Sequence, residues 1–444
     1  MINKEDLVNY FKNGFKKEGS EKIGTEHEKF VYSKEDFSLI PYNGEISISK
    51  LIEYFVEDGW EPSFEGDNII AAIKDNASIT LEPGGQFELS GAPLKTVHET
   101  CSEITNHLKF TKSLEEKMNI GFLGLGFLPI ESLLSVPEVP KKRYSQIMRP
   151  YMKSLGGLGL DMMHRSCTVQ ANFDFTSEKD MQRKVQVSSA LQPLITGLFA
   201  NSPFSDGRLN HYQSYRSFVW SKTDDDRTGI PEKMLNESFS IEEYVDYVLD
   251  VPVYALIRDG YYKNCLEYTF RDLMNNKSEE INSENLTVKD WADHVSTIFT
   301  EVRLKTYIEM RGADAGGNKS LCALPAFWAG LIYCNECLDE SIETIKKWSF
   351  EDIVNFRTDI PKLGLDASIQ NRSGWDLAKE FLEISKRGLA NRANLNSSGQ
   401  DESIHLDYLF NMVNRKESSA SRLINLYNNE WKQDLTRIYE SESF

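Results

Sequence analysis

A stretch of alternating residues with an unusual polar face constrains this chain more than any other feature. Residues 79–93 read I-T-L-E-P-G-G-Q-F-E-L-S-G-A-P. One face of the alternation holds the apolar residues Ile79, Leu81, Phe87 and Leu89, and the other holds the polar residues Thr80, Glu82, Gln86, Glu88 and Ser90. Alternation with a period of two predicts half-buried strands on either side of the Pro-Gly-Gly break.

The polar face of this stretch carries carboxylates and an amide but no lysine or arginine. Glu82 and Glu88 would repel one another if they lay side by side, so a bound cation would explain their placement. Carboxylate oxygens are hard ligands and suit Mg²⁺. The alternative interpretation is an ordinary solvated sheet face.

Three further segments show the same alternation, with carboxylate, amide or guanidinium groups on one face. Residues 23–31 place Glu26 and Glu28 together, and residues 303–311 place Tyr307, Glu309 and Arg311 together. The polar face of residues 168–175 consists of Thr168, Gln170, Asn172 and Asp174. Each segment is predicted to be a strand, and together the four could form one cage.

The charge balance argues against nucleic acid as the main partner. Lys and Arg number 50 and Asp and Glu number 68, which gives a formal net charge of −18. Phosphate backbones are bound by basic stripes, although an ATP site can be locally positive inside an acidic surface.

The length of 444 residues alone suggests two or three domains, but no linker, low-complexity tract or internal repeat is recognisable in the sequence. The longest apolar run, residues 321–333, is too short to span a bilayer and contains Pro325. The first residues lack the features of a signal or transit peptide, and six scattered cysteines indicate a reducing compartment. We therefore expect a cytoplasmic protein without a membrane partner.

Apolar periodicity predicts several helices, and the clearest covers residues 97–118. The others are predicted at residues 4–15, 49–57, 182–200, 375–388 and 419–439. His98 and His107 lie off the apolar stripe of the clearest helix, so both are predicted to be surface residues.

Three motifs invite a cofactor interpretation that we reject. Residues 121–127, G-F-L-G-L-G-F, have the wrong glycine order for a dinucleotide loop and predict a glycine-rich strand closely approached by another segment. Residues 312–320 miss the phosphate-binding loop by the inserted Asn318, and no periodic helix is predicted to start at Lys319. Cys334 and Cys337 have no further partner at zinc spacing.

Several long motifs resemble the glutamate–cysteine ligases of the plant and proteobacterial type. They are I-G-T-E-H-E-K-F, L-E-P-G-G-Q-F-E-L-S-G-A-P, T-V-Q-A-N-F-D-F, L-F-A-N-S-P-F, D-R-T-G and Y-I-E-M-R-G-A-D, and the resemblance continues to the closing N-N-E-W-K-Q-D. It implies that residues 1–444 form a single catalytic unit with an α+β fold, in which a curved, largely antiparallel sheet forms a bowl-shaped active site flanked by helices, as in glutamine synthetase. Periodicity alone does not predict that bowl.

The resemblance also implies the reaction. ATP phosphorylates the γ-carboxylate of glutamate, and the amine of cysteine then displaces phosphate to give γ-glutamylcysteine, the first step of glutathione biosynthesis. Mg²⁺ and the co-substrate ATP would be required, no protein nucleophile is needed, and a monomer or homodimer is expected.

Site residues follow from matching these motifs to the sequence. Arg143 (in the basic cluster K-K-R-Y, otherwise a solvated turn), Thr168 and Arg216 would bind glutamate, whose carboxylates suit the planar guanidinium. Arg311 would lie over the transferred phosphoryl group, with Glu309 as a second catalytic residue. The expected metal ligands are Glu26, Glu28, Glu82, Glu88 and Glu309, and the expected ATP-binding residues are Arg227, Gln170 and Glu82.

Three other functions compete with this one. A related ligase could use the same activation step with another amine. A non-catalytic paralogue could serve as a regulatory subunit, although such proteins tend to lose metal carboxylates that are all present here. A two-metal hydrolase would need His-Asp clusters, whereas the seven histidines are scattered.

The resemblance bears on the cysteines as well. Cys101 and Cys322 fall where plant members carry a disulfide linked to redox control, and the alternative is two buried thiols that act as small hydrophobic side chains. Cys265 matches one half of a second plant pair, but Glu280 occupies the partner position. That second bridge cannot form.

Overall fold

The computed structural model describes residues 2–444 and has an α+β fold built on one large sheet. The strands are β1 Ile23–Ser33, β2 Glu61–Glu65, β3 Asn68–Lys74, β4 Ala77–Leu81, β5 Phe87–Ser90, β6 Ile120–Leu123, β7 Thr168–Phe173, β8 Phe204–Ser205, β9 Arg208–Leu209, β10 Thr228–Gly229, β11 Ala255–Arg258, β12 Tyr261–Asn264, β13 Phe299–Thr300, β14 Val302–Leu304, β15 Ile308–Asp314, β16 Ser368–Ile369 and β17 Arg372–Ser373. The large sheet has nine strands in the order β14-β15-β7-β1-β5-β4-β3-β2, with β6 also paired to β1. All its pairings are antiparallel, in agreement with the expected fold.

Helices surround this sheet. They are α1 Lys4–Lys12, α2 Ile48–Glu57, α3 Val97–Met118, α4 Arg149–Leu155, α5 Gly159–Arg165, α6 Glu178–Leu198, α7 Tyr215–Trp220, α8 Ile241–Leu249, α9 Phe270–Met274, α10 Val288–Val295, α11 Asn318–Ile332, α12 Asn335–Ile345, α13 Phe350–Leu363, α14 Gly374–Arg392, α15 Asp407–Arg415, α16 Ser419–Asn425 and α17 Ile438–Ser441.

Helices cover the apolar face of the sheet. Phe55 of α2 packs against Phe87 of β5 with their ring centroids 5.5 Å apart, in a cluster that also contains Ile79. On the other half, α6 and α11 contact β15 and β7 in a second cluster that contains Val169. Each fully buried aliphatic or aromatic side chain contributes about 1.5–3 kcal/mol. This burial determines which face each alternating strand presents, and the opposite face is left polar.

The prediction for α3 agrees with the structure at both ends, but the prediction for one of its histidines is wrong. A capping box begins the helix, in which Thr96 Oγ1 accepts from the N–H of Glu99 at 3.1 Å and Glu99 accepts from the N–H of Thr96 at 3.0 Å. His107 is only 7% exposed and lies between Phe55 and Phe87. The helix packs against the sheet through a wider face than its apolar stripe predicts.

Two other predictions need correction. Residues 419–439 do not form one helix, because α16 ends at Asn425, a π-helical turn follows at Leu426–Glu430, and Lys432 and Gln433 then adopt positive φ angles of 51° and 66°. A helix does start at Asn318, after the glycine-rich loop. Periodicity does not predict it, because its residues are buried on all sides from Ser320 onward and no polar stripe remains.

Residues 120–123 form the predicted glycine-rich strand. A Cβ atom at Gly121 would lie 2.2 Å from the ring of Tyr32, so the close approach here excludes any larger residue.

Within residues 2–444, no single helix has the length and apolar character needed to cross a membrane. Helices α11 and α12 meet that requirement only when taken together, and the two axes are bent by 89°.

One predicted cysteine pair is bonded in the structure. Cys101 in α3 and Cys322 in α11 form a disulfide with a Cα–Cα distance of 5.3 Å and a sequence separation of 221. Cys265 is a free, buried thiol, and the carbonyl oxygen of Glu280 accepts from Lys263 Nζ at 3.3 Å. Cys334 and Cys337 are also free and buried.

Candidate active site

A cavity of about 990 Å³ lies on the polar face of the large sheet. Strands β1, β4, β5, β7 and β15 supply its floor, and the segments around residues 141–148, 216–220 and 296–307 supply its walls. The predicted residues that line it are Glu26, Glu28, Glu82, Glu88, Arg143, Thr168, Gln170, Arg216, Glu309 and Arg311. The four polar-faced segments therefore meet in one place.

Strand register brings the carboxylates together. Glu28 of β1 is directly opposite Glu88 of β5, and Glu88 is directly opposite Thr80 of β4. On the next polar row, Glu26 is opposite Gln170 of β7. Opposite residues in antiparallel strands have Cβ atoms about 4.5–5.5 Å apart, and like charges at that separation destabilise a sheet.

The pKa values of these carboxyl groups show the effect of burying several of them close together. Burial raises the pKa of Glu26 to about 7, and the negative charges of Glu309 and Glu88 add to the effect. Burial and neighbouring carboxylates raise the pKa of Glu28 well above its ordinary value and also raise that of Glu88. Burial raises the pKa of Glu82 as well. A divalent cation would favour the ionised form of all four groups.

Hydrogen bonds orient the carboxylates toward the cavity. The two oxygens of Glu26 accept from Gln170 Nε2 at 3.1 Å and from Asn172 Nδ2 at 2.7 Å. Glu28 accepts from the N–H of Thr168 at 2.9 Å. Glu88 accepts from Thr80 Oγ1 at 2.6 Å and from Ser90 Oγ at 3.1 Å. Neutral donors of this kind hold a carboxylate in place and leave its charge unpaired, which suits metal ligation.

Glu309 differs from the other four carboxylates because cations already surround it. It receives two bonds from Arg303, Nε to Oε2 at 2.5 Å and Nη2 to Oε1 at 2.9 Å, and Arg311 Nη1 lies 3.3 Å from Oε2. Burial alone would raise its pKa, but Arg303, Lys305 and Arg311 hold that pKa well below its usual range. Its charge is balanced without a metal ion, so the geometry favours a positioning role over the predicted metal-ligand role.

Two arginine side chains line the cavity and keep guanidinium N–H groups that no residue among 2–444 accepts from. Arg311 Nη1 donates to Gln170 Oε1 at 2.7 Å, which links it to the row of Glu26. Arg216 Nη2 donates to the carbonyl oxygen of Arg311 at 2.9 Å, whereas its buried Nε has no hydrogen-bond partner within residues 2–444. Both guanidinium groups lie 5.7 Å from the ring centroid of Trp220. An unpaired donor on a buried guanidinium is placed to receive an anion.

The basic cluster is part of the wall and is not a solvated turn. Arg143 begins a π-helical turn, Arg143–Met148, and within residues 2–444 the only hydrogen bond of its side chain is a long one of 3.4 Å from Nη2 to Ser296 Oγ. Lys141 Nζ donates to the carbonyl oxygen of Leu81 at 2.7 Å, and Tyr144 donates to Glu82 at 3.4 Å. Arg143 therefore keeps most of its donors free.

The structure does not bring Arg227 to the cavity, contrary to the predicted ATP contact. Its side chain is fully buried beneath the wall, where Nε pairs with Asp224 at 3.0 Å and Nη1 donates to Thr297 at 3.1 Å. Its Nη2 donates to the carbonyl oxygen of Pro252. All faces of the guanidinium are used within the fold, so Arg227 supports the wall.

Thr168 lies at the cavity, but its hydroxyl proton is already used. Oγ1 donates to the carbonyl oxygen of Ala313 at 2.7 Å, between β7 and β15. The hydroxyl can therefore act on a ligand only as an acceptor.

Sequence reasoning does not find Arg303 and its contact with Glu309. The alternation in residues 303–311 predicts one strand, whereas these residues form a hairpin of β14 and β15 in which Arg303 pairs with Glu309. The sequence feature that could have indicated this contact is the pair of opposite charges six residues apart, on either side of a short turn. The turn contains neither glycine nor proline, so no local residue indicates it.

Comparisons with known proteins agree with this geometry. Residues 22–441 match the family described as glutamate-cysteine ligase family 2. The chain is 44% identical over 440 residues to the chloroplastic glutamate–cysteine ligase of Medicago truncatula, which covers 99% of this chain and 85% of that protein. It is 43% identical to the chloroplastic enzyme of Arabidopsis thaliana, over 99% of this chain and 82% of that protein.

A solved structure has the same fold at low sequence identity. The crystal structure of glutamate–cysteine ligase from Francisella tularensis in complex with AMP is 14% identical to this chain, with a TM-score of 0.57. The match covers 96% of this chain and 88% of that chain.

Proposed function

The chain belongs to glutamate-cysteine ligase family 2, and on that premise we propose how its cavity carries out the reaction. The activity is the ATP-dependent ligation of the γ-carboxylate of glutamate to the amine of cysteine, which gives γ-glutamylcysteine for glutathione biosynthesis. Beyond the activity itself, we infer the roles of individual residues, a requirement for Mg²⁺ and the compartment.

The chemistry sets what the cavity must do. A carboxylate does not react with an amine at neutral pH, because oxide is too poor a leaving group. Transfer of the γ-phosphoryl group of ATP to the γ-carboxylate gives ADP and an acyl phosphate, and attack by the amine then releases phosphate. Both reactants of the first step are anionic, so the site must bring them together despite their repulsion.

The observation that supports this proposal is the cluster of carboxylates on β1 and β5, where Glu28 is opposite Glu88, together with Glu82 directly after β4. Glu26, Glu28, Glu82 and Glu88 would hold Mg²⁺, and Glu309 would contribute through its contacts with Arg303 and Arg311. Bound Mg²⁺ would neutralise the phosphate oxygens of ATP. Within residues 2–444 no three of these carboxylates converge to within 4.8 Å, which is compatible with an ion that keeps several waters and also binds substrate phosphates.

The remaining polar groups would bind and orient the substrates. Arg216 and Arg143 offer free donors for the carboxylates of glutamate, and Thr168 offers an acceptor for its ammonium group. Arg311, held by Gln170 and Glu309, would stabilise charge on the phosphoryl group during transfer. Gln170 would act on the nucleotide side of the cavity, where it would hold the side chains of Arg311 and Glu26 in position.

Product analysis tests this function. The purified chain with ATP, Mg²⁺ and glutamate should release ADP and phosphate, and the rate should rise when cysteine is added. A panel of other amines in place of cysteine would measure acceptor preference. If another amine gave faster product formation than cysteine, the related-ligase alternative would replace this one. If the release of ADP did not depend on glutamate, the mechanism would be wrong.

The cytoplasm remains the proposed compartment, and a single catalytic unit remains the proposed organisation. The scattered cysteines, four of which are free thiols, support the first, although the plant relatives are named chloroplastic. The cavity is lined by residues that extend from Lys16 to Arg311, and this supports the second. Fractionation of cells that express the natural gene would test the location.

The raised pKa of Glu26 predicts how Mg²⁺ and pH act together on stability. A carboxyl group whose pKa rises from 4.5 to about 7 on folding stabilises the fold fully below pH 4.5, and this stabilisation is lost as the pH rises through 7. In chelator, the melting temperature should therefore fall between pH 5 and pH 8. Added Mg²⁺ should raise it, and more at pH 8 than at pH 5, because binding favours the ionised carboxylates.

Thermal melts at each pH, with and without Mg²⁺, measure this effect. Glu26→Gln removes one of the titrating carboxyl groups and should reduce the pH dependence of the Mg²⁺ effect, whereas Glu53→Gln on the surface of α2 should leave it unchanged. A Mg²⁺ effect that is equal at every pH would contradict the assignment of Glu26.

Arg216→Lys should mainly raise the KM for glutamate. Lysine keeps the positive charge but loses the planar fork and the buried Nε donor, and hydrogen bonds to charged groups contribute about 1.5–3 kcal/mol. We expect a rise of roughly 10- to 100-fold, since 1.4 kcal/mol corresponds to a factor of ten. Separate Michaelis constants for glutamate and ATP would check this, because a change confined to ATP would place Arg216 on the nucleotide side.

A further inference from the structure

The disulfide lies beside a histidine in a way that an ordinary structural bridge does not require. Within the described part of the chain, Cys101, Cys322 and His405 form the one group of three metal-binding side chains whose ligand atoms all lie within 4.8 Å of one another. They come from α3, α11 and the turn before α15, so tertiary packing brings them together. Cys322 is 5% exposed.

A second histidine completes the cluster. His98 Nδ1 lies 3.0 Å from His405 Nε2, so one ring donates to the other. The Nε2 atom of His98 is buried and has no hydrogen-bond partner among residues 2–444. Two sulfur atoms and two imidazoles are therefore gathered in one place, and the two ring nitrogens outside this contact, His98 Nε2 and His405 Nδ1, have no hydrogen-bond partner in the described chain.

An open route leads to this cluster. Cys101, Cys322 and His405 line a cavity of about 590 Å³ that is separate from the active-site cavity. Lys319 and Arg415 line the same cavity, and nearby cations favour the thiolate form of cysteine. An ion could thus reach the cluster without passing through the catalytic site.

We propose that the reduced chain binds one zinc ion through Cys101, Cys322 and His405, with His98 orienting His405. Thiolate and imidazole are the ligands that zinc prefers, with Zn–S about 2.3 Å and Zn–N about 2.0–2.1 Å. Tetrahedral ligands at those bond lengths are about 3.4–3.8 Å apart. The cluster can reach that spacing once the two sulfur atoms separate, because the three ligand atoms already lie within 4.8 Å.

The step from disulfide to zinc site is balanced by a thiol reductant. A dithiol breaks the Cys101–Cys322 bond, supplies two electrons and two protons, and becomes a disulfide itself. Zinc then displaces the two thiol protons to solvent as the thiolates bind. Zinc and oxidation therefore compete for the same pair of sulfur atoms, and zinc should slow the return of the disulfide.

Cobalt(II) is a spectroscopic probe for this site. The full chain, reduced with a phosphine and held in excess Mg²⁺ to occupy the carboxylates, is titrated with Co²⁺ and then with Zn²⁺. The reduced chain should develop a thiolate-to-cobalt charge-transfer band that saturates at one equivalent and disappears when zinc displaces cobalt. Carboxylate-bound cobalt gives no such band, so the active site cannot produce it.

Matched variants identify the ligands. Cys101→Ser and the oxidised chain should show no band, whereas Cys334→Ser, which removes a buried thiol elsewhere, should keep it. His405→Ala should weaken zinc binding by at least about tenfold, and His98→Ala by about 10- to 100-fold if it orients the ligand. Ligase activity under reducing conditions verifies that each variant is folded, and Cys322→Ser replaces Cys101→Ser if the latter is not.

Specific outcomes would overturn the proposal. They are the absence of the band in the reduced chain, a band in Cys101→Ser and Cys322→Ser that equals the band of the unsubstituted chain, or loss of the band in Cys334→Ser alone. An affinity for zinc that does not change in His405→Ala would also contradict it, because the cysteines alone would then account for binding.

Discussion

Glu28→Gln should lower the ligase rate by on the order of 100-fold or more, as does the loss of a single charge-stabilising group in other active sites. The glutamine can still accept from the N–H of Thr168, as Glu28 does at 2.9 Å, so the strand pairing should survive. The variant loses the negative charge directly opposite Glu88. Glu88→Gln should act in the same direction, and it should fold because its amide oxygen can accept from one of the hydroxyl groups of Thr80 and Ser90 while its NH2 group donates to the other.

The measurement is the initial rate as a function of Mg²⁺ concentration, with melting temperature as a check on folding. Glu115→Gln is the matched control, since Glu115 is 1% exposed, pairs with Lys34 and Lys112, and lies outside the cavity. In its folded fraction this variant should keep the wild-type rate. Wild-type turnover of Glu28→Gln at limiting Mg²⁺ would show that the carboxylate row is not the metal site.

Arg303→Met should destabilise the protein by about 3–5 kcal/mol, because it leaves the carboxylate of Glu309 buried without its main partner. Arg303 and Glu309 are 8% and 1% exposed, and the guanidinium binds both oxygens. Adding Glu309→Gln to Arg303→Met should recover part of the loss, since the unpaired charge disappears. The readout is the free energy of unfolding of the two single variants and the double variant in chemical denaturant.

A partly exposed ion pair is the control for this experiment. Arg258 pairs with Asp290 at 2.6 Å, with 27% of the arginine side chain exposed. Arg258→Met should cost only about 1 kcal/mol or less, as solvent-screened pairs do. If Arg303→Met lowered the free energy of unfolding by no more than Arg258→Met does, the buried Arg303–Glu309 pair would contribute no more to stability than a solvent-screened pair.

Local alternation is sufficient to predict the strands of the cavity floor. Glu26, Glu28 and Glu88 can be assigned to one face because side-chain direction in a strand has a fixed period of two and depends on no distant contact. The resemblance to known ligases adds the curved, largely antiparallel sheet, which periodicity does not contain. The sequence alone could not pair Glu28 with Glu88.

The errors arise where tertiary packing overrides local pattern. Arg227 belongs to a motif, D-R-T-G, but Asp224, Thr297 and Pro252 use its donors, and two of these lie far away in the sequence. His107 looks polar within α3, yet the aromatic rings of α2 and β5 bury it. In both cases a polar side chain is buried by partners that no window of neighbouring residues contains.

The antiparallel register of the floor also limits how this enzyme can evolve. A single inserted or deleted residue in β1 would move Glu26 and Glu28 to the apolar face and bring His27 and Lys29 into the cavity. The floor can therefore change only by substitution. The walls, where Arg143 begins a helical turn and Ser296 ends a helix, can vary in length, because connecting segments tolerate insertions. New acceptor specificities in this lineage should thus arise from length variation in the walls above a floor of constant length.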